Sequence, residues 1–183
     1  MQRIPYPDPA GLPDTMRRML EGTPLNVVRV GANASPALFE AQGQISYAIA
    51  DPKVLDPRVR EAAILRVAHL SGSRYELHHH RPLARAAGLS TEEIEAVERC
   101  FYDRLDPKLT AVCQFTDEVV ARLSPTDETF NALREITSDQ LIVNLVLTIG
   151  CYMSIARLIA VTGIQPDEPA LQHLSSGLDD PSL

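Results

Sequence analysis

Apolar residues recur along this 183-residue chain at three- and four-residue spacing, which is the period of an amphipathic helix. Leu109, Val112, Cys113, Thr116, Val119 and Val120 form one such stripe. Helix punctuation frames the stripes. Asp56-Pro57 and Asp106-Pro107 each set a capping aspartate before a proline at the first helical position, where its missing N–H costs nothing. Ser90-Thr91-Glu92-Glu93 and Thr137-Ser138-Asp139-Gln140 fit the capping box, and Ser124-Pro125 with Thr126-Asp127-Glu128 marks another start. Gly88 and Gly163 read as helix stops. No segment alternates at the period of a strand, and no Asn-Gly hairpin signal occurs. The pattern predicts an all-α fold with helices over 11–21, 35–50, 57–70, 73–87, 91–102, 107–122, 127–135 and 139–161. Residues 1–183 read as a single domain, with an N-terminal arm over 1–10 and a C-terminal tail over 165–183. The arms are expected to be disordered or to wrap a neighbouring subunit.

The longest apolar run, Leu141 to Ile164, is about long enough to cross a bilayer. It carries Asn144 and Arg157, however, and an arginine within a lone span costs at least about 2.5 kcal/mol. A helix apolar on most of its circumference is more simply a central, buried one.

Composition narrows the partners. Hydrophobic residues make up 45% and charged residues 22%, an ordinary soluble balance. A net charge of −7 argues against nucleic acid and anionic membranes, which both select a basic surface. The start, MQRIPYPDPAGLPD, is proline-rich and lacks the apolar stretch of a signal peptide, so a cytoplasmic location is expected. Cys100, Cys113 and Cys151 are far apart and odd in number, and read as buried, reduced thiols. No phosphate loop, dinucleotide fingerprint or nucleophile elbow occurs.

The segment from Asp56 to Ile94 carries the candidate chemistry. Two helices meet at Ser71-Gly72-Ser73. On the second, Leu77, His80, Leu83, Ala84 and Ala87 share one side, so His80 points to the core. His78 shares a solvated side with Arg74, Arg81 and Arg85, and His79 lies between the two faces. Glu76 precedes His80 by four residues, close enough to meet it. Pro82 predicts a kink just past the histidines. On the first helix, Glu61 is followed by Ile64, Leu65 and Ala68, and an acid on an apolar face needs a partner or a raised pKa. Packed as a hairpin, the helices bring Glu61 near Glu76 and His80, an acid/base set suited to proton transfer near neutral pH.

Plainer readings stand beside that one. Ser73-Arg74-Tyr75-Glu76 is itself a capping box, Glu61 can pair with Arg58, and His80 can be a hydrogen-bonded core histidine. Adjacent histidines on a helix point about 100° apart. His78, His79 and His80 therefore cannot all ligate one ion, and no second ligand pair has metal spacing. Neither a metal nor another cofactor is expected.

The strings LDPRVREAAILRVA from Leu55 and SGSRYELHHHRPLARAAGLS from Ser71 resemble the carboxymuconolactone decarboxylase family, which also contains the alkylhydroperoxidase D-like proteins. IGCYMSIARL from Ile149 is similar to that family's last long helix, and the resemblance spans Ser35 to Ile164. It implies an alkylhydroperoxidase D-like helical domain of about seven to eight helices, assembled as a homo-oligomer, trimer or hexamer. The peroxidase branch carries CxxC followed three residues later by histidine, with a glutamate upstream. Here Glu61 and His80 take the glutamate and histidine positions, while Ser73 and Glu76 fall where the cysteines would be. Thiol–disulfide chemistry needs an attacking thiolate and a resolving thiol, so peroxidase activity is not expected.

What the resemblance leaves is a cofactor-free lyase or isomerase acting on a small carboxylated lactone or enol. In it His80 donates the proton, Glu76 orients His80, and Glu61 relays protons or aligns the substrate. Ser73 and Tyr75 are candidate substrate contacts. Arg157 or Arg66 pairs with a substrate carboxylate or, alternatively, with a structural acid. Two other classes remain: a non-catalytic oligomeric binder of small ligands, and a redox protein using Cys100, Cys113 or Cys151.

Overall fold

The computed structural model describes residues 1–171. Within them lie nine α-helices and no strand: α1 (Asp14–Gly22), α2 (Asn26–Gly31), α3 (Pro36–Ala50), α4 (Pro57–Leu70), α5 (Arg74–Ala86), α6 (Thr91–Arg99), α7 (Pro107–Arg122), α8 (Asp127–Glu135) and α9 (Asp139–Thr162). Short 3-10 turns occupy Pro9–Gly11 and Tyr102–Arg104. The helix α2 is absent from the pattern reading, because six residues give too few turns for a 3.6-residue period to register. The helix expected to reach 102 stops at Arg99, where Cys100 takes a left-handed conformation with φ 60°. That conformation closes a helix C-terminus.

The caps behave as their chemistry requires. Asp56 accepts from the amides of Arg58 and Val59, and Asp106 accepts from that of Leu109. Ser90 and Glu93 complete a reciprocal capping box. At α9 the capping residue is Ser138, which accepts from the Leu141 amide, one position beyond the expected Thr137.

The centre of the fold is α4. Its Ala62, Ala63, Ile64, Leu65, Val67 and Ala68 are all 0% exposed. The alanines let neighbouring backbones approach, and α5, α6, α7 and α9 all pack on it. This corrects the expectation for α9. By length and composition α9 could cross a bilayer, but in the fold it is one-sided. Ile142, Leu145, Ile149 and Ile159 face inward, whereas Val143, Val146, Leu147 and Val161 are exposed.

The N-terminal arm lies on its own chain. The Arg3 amide donates to the Thr162 carbonyl at 2.7 Å, Asn33 Nδ2 donates to the Pro5 carbonyl at 3.0 Å, and the Arg29 guanidinium covers the Tyr6 ring. Of the C-terminal tail, residues 165–171 cross α5, and residues 172–183 lie outside the described residues.

Leu65→Ala should destabilise the chain by about 2–5 kcal/mol through transfer and cavity terms. Asn131→Ala on the exposed side of α8 should stay within about 0.5 kcal/mol. Urea unfolding of the two variants measures the difference, and equal costs would contradict a core centred on α4.

Candidate active site

Gly72, at φ 64°, reverses the chain between α4 and α5 and lays one helix against the other. Glu61 on α4 is 0% exposed, and Glu76 and His80 on α5 are 2% and 5% exposed. His80 Nδ1 donates to Glu61 Oε2 at 2.8 Å. The other carboxylate oxygen, Oε1, accepts from Arg60 Nε at 2.9 Å, and Arg60 Nη1 donates to the Ala50 carbonyl at 2.9 Å. Burial pushes the Glu61 carboxyl up, but His80 and Arg60 together outweigh it and hold the group below its ordinary value. Glu61 is therefore a carboxylate, and a carboxylate fixes Nδ1 of His80 as the donor. Nε2 makes no hydrogen bond to any described residue. The Tyr152 ring of α9 meets the imidazole edge-on at a centroid distance of 5.0 Å.

Glu76 has the opposite environment. Neither carboxyl oxygen has a hydrogen-bond partner. Burial pushes its pKa up to about 7, with the nearby Ser73 hydroxyl and His80 pulling it only part of the way back. The capping box at this helix is half-formed. Ser73 Oγ accepts from the Glu76 amide at 3.4 Å, but the Ser73 amide goes to the Ala68 carbonyl at 2.8 Å. No side-chain hydrogen bond joins Glu76 to His80, so the group orienting His80 is Glu61, which reverses the expected roles. The expected Glu61–Arg58 pair is also absent. Arg58 is taken by Glu93 at 2.8 Å and by the Gly88 carbonyl at 2.5 Å.

The other candidates lie apart from this cluster. The Tyr75 hydroxyl donates to the Asp167 carboxylate and accepts from the Val27 amide at 3.2 Å, and its ring packs with Val30, Ile159 and Ile164. His79 is 2% exposed, not intermediate, because residues 167–171 cover it. Its Nδ1 meets the Leu171 amide at 3.1 Å. His78 is half-buried, and its Nε2 donates to the Asp167 carbonyl at 2.9 Å. Arg66 is held by Asp117 and by the carbonyls of Val97 and Glu98. Arg157 bonds the Met153 carbonyl of its own helix. Cys113 and Cys151 are buried, but Cys100 is exposed, against the expectation of three buried thiols. Among the described residues, no group of three or more His, Cys, Asp or Glu side chains is arranged to hold a metal ion.

Pattern reading missed two residues of the cluster. Arg60 neighbours Glu61 in sequence, and adjacent helical positions diverge by about 100°, so spacing gives no hint of their pairing. Tyr152 comes from a helix far along the chain, and no local period links it to His80. Cavities of about 610 and 480 Å³ open on the surface. Glu61, Glu76 and His80 line neither. Chemically, the arrangement offers a carboxylate-oriented imidazole and a second carboxyl poised to exchange its proton near pH 7.

The raised pKa of Glu76 carries a stability consequence. Between about pH 4.5 and 7 the folded state keeps a proton that the unfolded chain has lost, so stability falls as pH rises through that window. Glu76→Gln removes this dependence. Its advantage over the wild type should be small at pH 4.5 and grow to on the order of 2 kcal/mol by pH 8. Urea unfolding across that range measures the gap, and a constant gap would mean that Glu76 is charged and paired.

Residues 36–118 match the carboxymuconolactone decarboxylase family. No curated protein matches the chain. Several solved structures share its fold. The AhpD core of an uncharacterized peroxidase-related protein from Ralstonia eutropha JMP134 is 20% identical, with TM-score 0.77 over 91% of this chain and 93% of that one. An uncharacterized peroxidase-related protein from Silicibacter sp. TM1040 is 18% identical, with TM-score 0.76 over 90% of each chain. A protein of unknown function from Agrobacterium tumefaciens, tied by its description to AhpD-type antioxidant defence, is 23% identical, with TM-score 0.67 over 74% of this chain and 94% of that one. Over residues 36–118 this chain is similar to the carboxymuconolactone decarboxylase family, and it carries serine at 73 and glutamate at 76 in α5.

Proposed function

We propose that this chain is a cofactor-free acid/base enzyme, a decarboxylase-like lyase or an isomerase acting on a small carboxylated lactone or enol. The observation that carries the proposal is the buried, unpartnered carboxyl of Glu76 beside the Glu61–His80 pair. A purely structural acid with both oxygens orphaned is a net cost to folding, and such groups concentrate at functional sites. In a decarboxylation the C–C bond to the carboxylate breaks, carbon dioxide leaves, and the electron pair remains as an enolate-like carbanion. His80 Nε2 delivers a proton to that carbon, and Glu61 stabilises the imidazolium before the transfer. Glu76, near neutral at physiological pH, returns the proton to the imidazole and is reprotonated by solvent. An isomerase uses the same groups with removal and return at two carbons.

A second reading has its own observation. Because the three residues line neither cavity, they can instead be a buried polar network of a non-catalytic small-ligand binder. The two readings part at the variants. In D2O, with a panel of small carboxylated lactones and enolisable keto acids, proton NMR reports deuterium entering carbon positions. The wild type should incorporate it, and His80→Ala should lose about 10²–10⁴-fold. Glu61→Gln should lose rate with little change in KM, because it disturbs the tautomer and not the binding. No incorporation with any member, together with variants that change only stability, favours the binder.

Two further outcomes belong to the proposal. Positions 73 and 76 carry no sulfur, so hydroperoxide consumption with a dithiol reductant should be at background, and replacing Cys100, Cys113 and Cys151 together should leave acid/base turnover intact. Steady peroxide turnover lost in that triple variant would move the chemistry to thiols. The exposed apolar side of α9, with Val143, Val146, Leu147 and Val161, supports assembly of identical subunits as a trimer or hexamer. Light scattering that returns a monomer in dilute solution would remove that part.

A further inference from the structure

The cavity of about 480 Å³ lies between the N-terminal helices and the family-matched core. Val27, Val28 and Val30 of α2 form one wall, Phe39 of α3 another, and Ile155 and Leu158 of α9 the floor. The volume falls within the range of small-molecule sites. No acidic, basic or histidine side chain lines it, although charged residues make up 22% of the chain. Gly43 explains how α1 closes this space: a Cβ there would collide with the Met19 side chain. Any larger residue at 43 would push Met19, itself a lining residue, out of place.

The polar atoms of the lining are neutral and partly unused. Gln42 and Ser46 stand one turn apart on α3. Gln42 Nε2 donates to Cys151 Sγ at 3.3 Å and reaches Ser46 Oγ at 3.4 Å, and Ser46 Oγ is spent on the Gln42 carbonyl at 2.9 Å. Among the described residues, the amide oxygen of Gln42 and the hydroxyl of Ser154 make no hydrogen bond. A mainly apolar lining whose polar side chains, among them Thr23, Asn33, Gln42, Tyr47 and Ser154, are all neutral matches an uncharged, mainly apolar molecule. A carboxylate would find no counter-charge among the lining side chains.

We propose that this cavity is a binding site for a small, uncharged, mainly apolar molecule. The site goes beyond the acid/base reading and does not depend on it, because binding is measured without turnover. Its lining includes residues before 36, outside the family-matched stretch. Leu38 at the rim is 68% exposed, which makes a second copy of the chain the competing occupant.

The probe is N-phenyl-1-naphthylamine, neutral and fluorescent in apolar surroundings, titrated against the full chain. We expect saturable binding, displaced by 1-decanol and not by decanoate at the same concentration. Ala34→Trp and Ser154→Phe place bulk in the cavity from positions exposed to solvent, so the fold should survive, as checked by circular dichroism. Each variant should weaken the probe at least ten-fold, and Asn131→Ala should not. Binding untouched by both variants overturns the proposal. Equal displacement by decanoate overturns the neutral-ligand assignment. Probe binding that falls as protein concentration rises, in step with self-association, gives the cavity to a second copy and also overturns it.

Discussion

A single carboxylate with no exposure, Glu61, sits in the helix that everything else packs against. A charge in that position is tolerable only if its partners never leave, since removing one partner from a buried pair typically costs about 3–5 kcal/mol. Arg60 and His80 supply those partners from the same helix and from α5. Arg60 also fastens the end of α3 through the Ala50 carbonyl. The second buried arginine of α4, Arg66, binds Asp117 of α7 and carbonyls of α6. The alanines of α4 let its neighbours come close, and its charges fix which neighbours they are.

Two glutamates from adjacent helices have pKa values pushed in opposite directions, and their surroundings are the whole cause. Glu61 loses water but gains a cation and an imidazole; Glu76 loses water and gains almost nothing. This is the pattern by which one fold keeps an acid and a base side by side at one pH. The imidazole is tied at Nδ1 by the Glu61 carboxylate, which leaves Nε2 as its open nitrogen, while Glu76 is the carboxyl with the raised pKa.

Much of this was legible in the chain, because helix starts and stops are local chemistry. Asp56, Ser90 and Asp106 cap the helices they were expected to cap, and the face rule sent Glu61, Glu76 and His80 inward. What failed was non-local. The exposed side of α9 could not be told from a buried one by hydropathy, since apolarity reports what a surface tolerates and not what covers it. His79 read as intermediate, yet a segment nearly ninety residues downstream folds over it. The Arg60–Glu61 pair crosses no helical period at all. The pairing of Glu76 with His80 was inferred from i, i+4 spacing, and it yielded to a shorter bond from a different helix. Spacing says which groups can meet, whereas burial and competition decide which do.

The shared fold does not carry a shared chemistry, and the thiols of this chain illustrate the reason. A cysteine reacts as the thiolate, so a site that uses one must lower its pKa with positive charge or helix-end dipoles. Burial pushes Cys113 up to about 12, where almost none is ionised at neutral pH. Cys151 is also raised, by burial first, which outweighs the hydrogen bonds of Gln42 and Ser46, with Glu76 adding a smaller push upward. The carboxyl that makes an acid/base reading attractive is thus one of the groups that suppress the thiolate beside it.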